Sequence, residues 1–207
     1  MQKKLMQIKE IASFYIIMPL DFHPSTVYIG FRRYIEMSDF LNVIDKRNSV
    51  RSYSDKPLPE EVCKTLVEAG LKAPTAANKQ EIHFTVVGKD NPVQAEIQTD
   101  LNPNAQNSFF YNAPVTIYLS GDESFKWSPV DAGIAVENIH LAAEALGLGS
   151  VILGCMEGVL NGEKKEEYAK KLAFPEGYRY EVAIAVGYPE ATKEPHTFDF
   201  EKNVSVI

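Results

Sequence analysis

The run DAGIAVENIHLAAEALG, residues 131–147, narrows more than any other segment what this chain can fold into. It is rich in alanine and other good helix formers and closes on Gly147, a residue suited to a helix C-cap, so it predicts a helix. Ile134, Ile139, Ala142 and Leu146 are the positions expected to be buried, and the apolar residues are not confined to one stripe. A helix that is apolar on more than one face must be covered on more than one side. It is therefore expected to be central, packed against a partner subunit as well as its own core.

Around it, helical and strand patterns are interspersed. Phe40, Val43 and Ile44 form a short helical stripe ending near Lys46. Pro57, Pro59 and Glu60-Glu61 announce a second helix with Val62, Leu66 and Ala69 on one face. IHFTVVG (82–88), VTIYLSG (115–121), SVILG (150–154) and YEVAIAVGYP (180–189) read as strands from their β-branched and aromatic content. A helix is expected from Pro92, and a solvated one in GEKKEEYAKKL. Several strands are almost continuously apolar, so both faces of the sheet should be covered. The class expected is an α/β or α+β sandwich on one sheet, and 207 residues suit a single domain or one protomer of an obligate oligomer.

The first 36 residues stand apart. Residues 11–20 are apolar, but the run is about half of the ~20 residues a spanning helix needs, and Pro19 interrupts it, so no membrane span is expected. Lys3 and Lys4 precede it without a small-residue cleavage site behind, which disfavours secretion. Met37 followed by Ser38 and Asp39, good helix caps, suggests a folding unit over 37–207, with 1–36 an extension. The formal charge of −7 argues against a general nucleic-acid or anionic-membrane binder, so any anion must be gripped locally. Two distant cysteines, Cys63 and Cys155, make neither a disulfide framework nor a zinc site and fit a reducing, cytoplasmic compartment. Cys155 is read as a small buried hydrophobe.

Against that acidic background RNSVRSY, residues 47–53, places Arg47 and Arg51 four positions apart, with Asn48 and Ser49 between them. Guanidinium forks present several donors to a phosphate or carboxylate, whether they project from neighbouring helical turns or converge from a bend. A solvated helix end is the plainer alternative. KAPTAANKQ adds Thr75, Asn78 and Gln80 on a loop; amides that both donate and accept suit the edge of a heteroaromatic ring, although turn chemistry alone also favours such residues. The glycines of GLGS (147–150) would let backbone N–H groups approach a ligand, or simply cap a helix. His83 and His140 lie among apolar residues and are expected to be packed. No H-E-x-x-H, G-x-S-x-G, dinucleotide or phosphate-loop motif is present in the sequence, leaving metalloenzyme and hydrolase readings without support.

Taken in order, RNSVRSYSDKPLPEE, APTAANKQEIHFTVVG, FFYNAPVTIYLSG, DAGIAVENIHLAAEALGLGSVILG and VAIAVGYP resemble the FMN-dependent nitroreductase family, from about Phe40 to Pro189. The resemblance implies an α+β fold with a central mixed or antiparallel sheet flanked by helices, in an interwoven homodimer with FMN at each subunit interface. It assigns the ribityl phosphate to Arg47, Asn48, Ser49 and Arg51. Pro74, Thr75, Ala76, Asn78 and Gln80 would approach the same flavin from the other subunit, and the backbone at Leu153 and Gly154 would lie beside the ring. Lys193 is the candidate to complete the phosphate grip. Phe109, Phe110 and Tyr111 are the candidates to line the substrate pocket. The implied chemistry is electron transfer from NAD(P)H through the flavin to nitroaromatic or quinone acceptors by a ping-pong cycle, with no side-chain acid or base. An FMN-binding storage or sensing protein is the alternative. The chain departs from the family in having Gln80-Glu81-Ile82 where Gln-Pro-Trp is common.

Overall fold

The computed structural model describes residues 39–207. The proposed boundary at Met37 and the extension before it lie outside the described residues. Contacts divide the chain into units 1–42 and 43–207. The first of these is described only at 39–42, the opening of helix α1 (39–46). The rest is α2 (Glu60–Leu71), a 3-10 turn (Ala76–Asn78), β1 (His83–Gly88), α3 (Pro92–Leu101), β2 (Val115–Asp122), α4 (Ser128–Ala145), β3 (Gly149–Leu153), α5 (Glu157–Leu160), α6 (Lys165–Lys171), β4 (Tyr178–Gly187) and α7 (Phe200–Asn203).

The four strands form one sheet in the order β1-β2-β4-β3, every pairing antiparallel. Period-two alternation sorts the central strands between two cores. Ile117 and Leu119 of β2, with Ile184 and Val186 of β4, face Leu66 of α2 and Ala132, Ala135, Val136 and Ile139 of α4. Tyr118, Ala183 and Ala185 face the other way, toward Val93 and Ile97 of α3, Leu160 of α5 and Tyr168 of α6. Both faces are covered, which is why the central strands read as continuously apolar. The β2–β4 register shifts at Leu119/Ser120, where Leu119 opposes Val182 and Ser120 opposes Tyr180. Glu181 is therefore the extra residue of a β-bulge.

Sequence periodicity foresees helix α4 well, with one correction. Ile139 is fully buried, but Ile134 and Leu146 are 37% and 47% exposed, alongside Trp127 and Val130. The sheet takes only the face carrying Ala132, Ala135, Val136, Ile139 and Ala143, and the second apolar face lies open on the single chain. Cys155 is also exposed rather than buried, because it falls just beyond the end of β3, past the last strand residue that faces a core.

Candidate functional site

The arginine segment leaves α1 and becomes extended. Val50 N–H donates to the Ser150 carbonyl at 2.9 Å, and isolated bridges join Ser49 to Ser150 and Tyr53 to Pro189. The close approach depends on two glycines: a Cβ at Gly149 would meet Val50 Cβ at 2.9 Å, and one at Gly187 would meet Pro114 Cδ at 2.5 Å. The GLGS glycines thus serve packing and capping, Gly147 having the left-handed φ of 71° that a C-cap needs. Burial along the segment alternates. Asn48 and Val50 are buried, Arg47 and Ser49 are half-buried, and Arg51 is exposed. In extended backbone residues i, i+2 and i+4 share a side, so Arg47, Ser49 and Arg51 form a row of donors.

Asn48 Nδ2 donates to the Lys46 carbonyl at 2.6 Å and to the Lys193 carbonyl at 3.4 Å, bringing the backbone of Lys193 to the segment. Arg51 has no carboxylate partner among the described residues; its Nη1 makes a long contact of 3.5 Å to the Ser49 carbonyl, and its Cζ lies 5.9 Å from the centre of the Tyr111 ring. Arg47 is more engaged. Its Nε is 3.4 Å from Glu137 Oε1 and its Nη1 is 3.0 Å from His140 Nε2, while His140 Nδ1 is 2.5 Å from Ser150 Oγ. Burial, and secondarily the Arg47 charge, lower the His140 pKa from 6.5 to about 4. Sequence reasoning placed His140 among packed residues, and at 2% exposure it is packed. Its two polar partners had no local signal: they lie 93 and 10 residues away in sequence.

The second cluster is the loop after α2. Ala77, Asn78 and Gln80 all take left-handed φ of 52–54° without being glycine. Such strain persists only where the surroundings hold it, and it concentrates at functional sites. Here the holders are visible. The Asp131 carboxylate, 2% exposed in the first turn of α4, accepts the Ala76 N–H at 2.9 and 3.0 Å. Thr75 Oγ1 accepts the Gln80 N–H at 2.9 Å, and Lys79 Nζ sits 4.0 Å from the centre of the Phe125 ring. Pro74, Asn78 and Gln80 remain exposed.

At the end of β3, the Leu153 carbonyl accepts the Tyr180 hydroxyl at 2.5 Å and so is turned inward. Gly154 has open space where a Cβ would stand. Of the three pocket aromatics, Phe109 and Tyr111 are half-buried, whereas Phe110 is 3% exposed in the core and borders a cleft of about 330 Å³ with Asp55, Lys89, Gln94 and Gln98. No residue of 47–51 or 74–80 lines that cleft. Ile82, where the family often has tryptophan, is 7% exposed in the core beneath α4, and Glu81 Oε1 accepts the Ser128 hydroxyl at 3.2 Å.

One protomer therefore brings Arg47, Ser49, Arg51, Lys193 and the β3 edge together, but it holds the loop elsewhere. Asp131 and His140, which hold the two clusters, are nine residues apart on α4. At 1.5 Å and 100° per residue they are separated by about 14 Å along the axis and about half a turn around it.

An antiparallel sheet between two helical layers, with a cationic row at one edge and a strained polar loop, defines an α+β protein. The Nitroreductase family profile matches residues 44–188, and the chain belongs to that family. Curated relatives include proteins named NADH dehydrogenase/NAD(P)H nitroreductase from Archaeoglobus fulgidus, 30% identical over 79% of this chain and 92% of that one, and from Methanothermobacter thermautotrophicus, 32% identical over 80% and 84%. Among solved structures, a nitroreductase with bound FMN from Desulfitobacterium hafniense superposes with a TM-score of 0.72 at 27% identity, covering 81% of this chain and 97% of that one.

Proposed function

We propose that this chain is an FMN-dependent oxidoreductase that takes electrons from NADH or NADPH and delivers them to flat, electron-poor acceptors such as nitroaromatics or quinones, in a ping-pong cycle. The observation that carries the reading is the row Arg47, Ser49, Arg51, with Arg51 free of any carboxylate among the described residues of an acidic chain. A phosphate monoester matches that row in charge and in its need for several donors. The names of the relatives and the FMN in the superposed structure support the same reading.

When bound, FMN supplies the two-electron chemistry. The residues of the chain bind, orient and shield. Arg47, Ser49 and Arg51, with Lys193 beside them, hold the phosphate, while the buried Asn48 amide ties the segment to the Lys46 and Lys193 backbone carbonyls. The polar edge of Thr75, Asn78 and Gln80 meets the flavin's carbonyls and ring nitrogens, and the open backbone at Gly154 admits a flat ring. The loop and the arginine row lie about half a turn apart on α4, which suits a homodimer in which a second copy supplies the loop to the flavin. Phe109 and Tyr111 border the slot that nicotinamide and acceptor occupy in turn, and orientation over the ring supplies much of the acceleration.

The test is direct. The purified protein titrated with FMN should quench flavin fluorescence, and stopped-flow mixing with NADH or NADPH should bleach the flavin absorbance, which a quinone then restores. Tight FMN with no bleaching by either nucleotide would favour a storage or sensing protein, and absence of FMN binding would remove the proposal altogether.

A further inference from the structure

We propose that His140 is a positioning residue for flavin binding: a neutral imidazole that aims Arg47 at the phosphate without cancelling its charge. The inference rests on the FMN reading above. His140 uses both ring nitrogens, Nε2 at 3.0 Å from Arg47 Nη1 and Nδ1 at 2.5 Å from Ser150 Oγ. A guanidinium can only donate, so Nε2 is the bare acceptor and Nδ1 carries the proton, which it gives to the Ser150 oxygen. The ring is therefore uncharged, and burial together with the Arg47 charge keeps it so down to a pKa of about 4.

Neutrality is the point of the arrangement. A second carboxylate here, added to Glu137, would orient Arg47 equally well but would further offset its charge, while an aliphatic side chain would leave Arg47 Nη1 and the Ser150 hydroxyl without this partner. Among the described residues, the charged groups facing this cluster are Arg47 itself and Glu137, which reaches Arg47 Nε at 3.4 Å from the preceding turn of α4, and β3 contributes the Ser150 hydroxyl. Ser150 also accepts the Val50 N–H and bridges Ser49. The His140–Ser150 unit thereby ties the Arg47 fork to the same stretch of β3 that sets the register of Ser49 and Arg51. With Nε and Nη1 each engaged, Nη2 is left for the ligand.

The experiment compares FMN with riboflavin, which lacks the phosphate, by fluorescence quenching on the full chain carrying His140→Leu, His140→Gln or Ser150→Ala, with thermal midpoints recorded for each. The wild type should prefer FMN. His140→Leu should lose about tenfold or more of its FMN affinity, the scale of one charge-assisted hydrogen bond, while its riboflavin affinity stays within about twofold. His140→Gln, whose amide oxygen can accept from Arg47, should recover most of the preference, and Ser150→Ala should lose part of it. The proposal is overturned if His140→Leu keeps the wild-type ratio of FMN to riboflavin affinity, or weakens both flavins equally. Should His140→Leu not fold, an unchanged ratio in Ser150→Ala overturns it as well. A wild type that binds neither flavin overturns the FMN reading itself, and this inference with it.

Discussion

Arg47 and Arg51 stand at the same edge but in different states, one held by Glu137 and His140, the other nearly free. If each makes a charge-assisted contact to phosphate worth roughly 1.5–3 kcal/mol, Arg47→Ala combined with Arg51→Ala should weaken FMN binding about 100-fold or more. A dissociation constant that stays put in fluorescence titration would remove the phosphate assignment. His140 also predicts a pH dependence of stability. Unfolded, it takes up a proton near its ordinary value of 6.5; folded, it resists until about 4. Between those values the unfolded chain binds more protons, so this group costs stability progressively as pH falls from 6.5 toward 4 and nothing above 6.5. Urea midpoints measured across that window should fall less steeply in His140→Gln than in the wild type.

At the level of elements, the arginine segment is seated by contacts that tolerate no added atom. Gly187 closes β4 where a Cβ would lie 2.5 Å from Pro114 Cδ and 3.0 Å from Tyr53 Cδ1, both parts of rigid rings. Gly187→Ala should therefore destabilise the fold by about 1–3 kcal/mol, read from the shift in the chemical-denaturation midpoint. The loop over 74–80 depends on a single anchor from α4. Asp131→Ala removes the acceptor of the half-buried Ala76 N–H, which should cost about 1 kcal/mol and release the left-handed turn at Ala77 and Asn78. Hydrogen exchange at Ala76 would report the loss as faster exchange than in the wild type.

At the scale of the whole molecule, α4 presents one apolar face to the sheet and a second, with Trp127, Val130 and Ile134, to the outside of the single chain. The homodimer proposed above would give that second face a partner to bury it. Ile134→Lys should accordingly shift the protein from dimer to monomer in light scattering and lower FMN affinity in parallel. A variant that stays dimeric with unchanged affinity would show that this face is not where the copies meet.

Local pattern was enough to read the longer helices, the strands and the two-faced character of α4 from the sequence, though not the single-turn helices α5 and α7, because propensity and periodicity need several residues to show. The row Arg47, Ser49, Arg51 was also legible, but its extended form was not, since spacing alone allows a helical turn or a bend. Burial of Ile134 and Leu146 was misjudged for a related reason: an apolar residue announces that it needs cover, not whether its own chain provides it. Only the tertiary structure decided that His140 meets Arg47 across 93 residues, that Asp131 holds Ala76 across 55, and that the bulge falls at Glu181. Those pairings arise when sheet and helices pack, and no periodicity along the chain encodes which distant side chains the packing brings within hydrogen-bond distance.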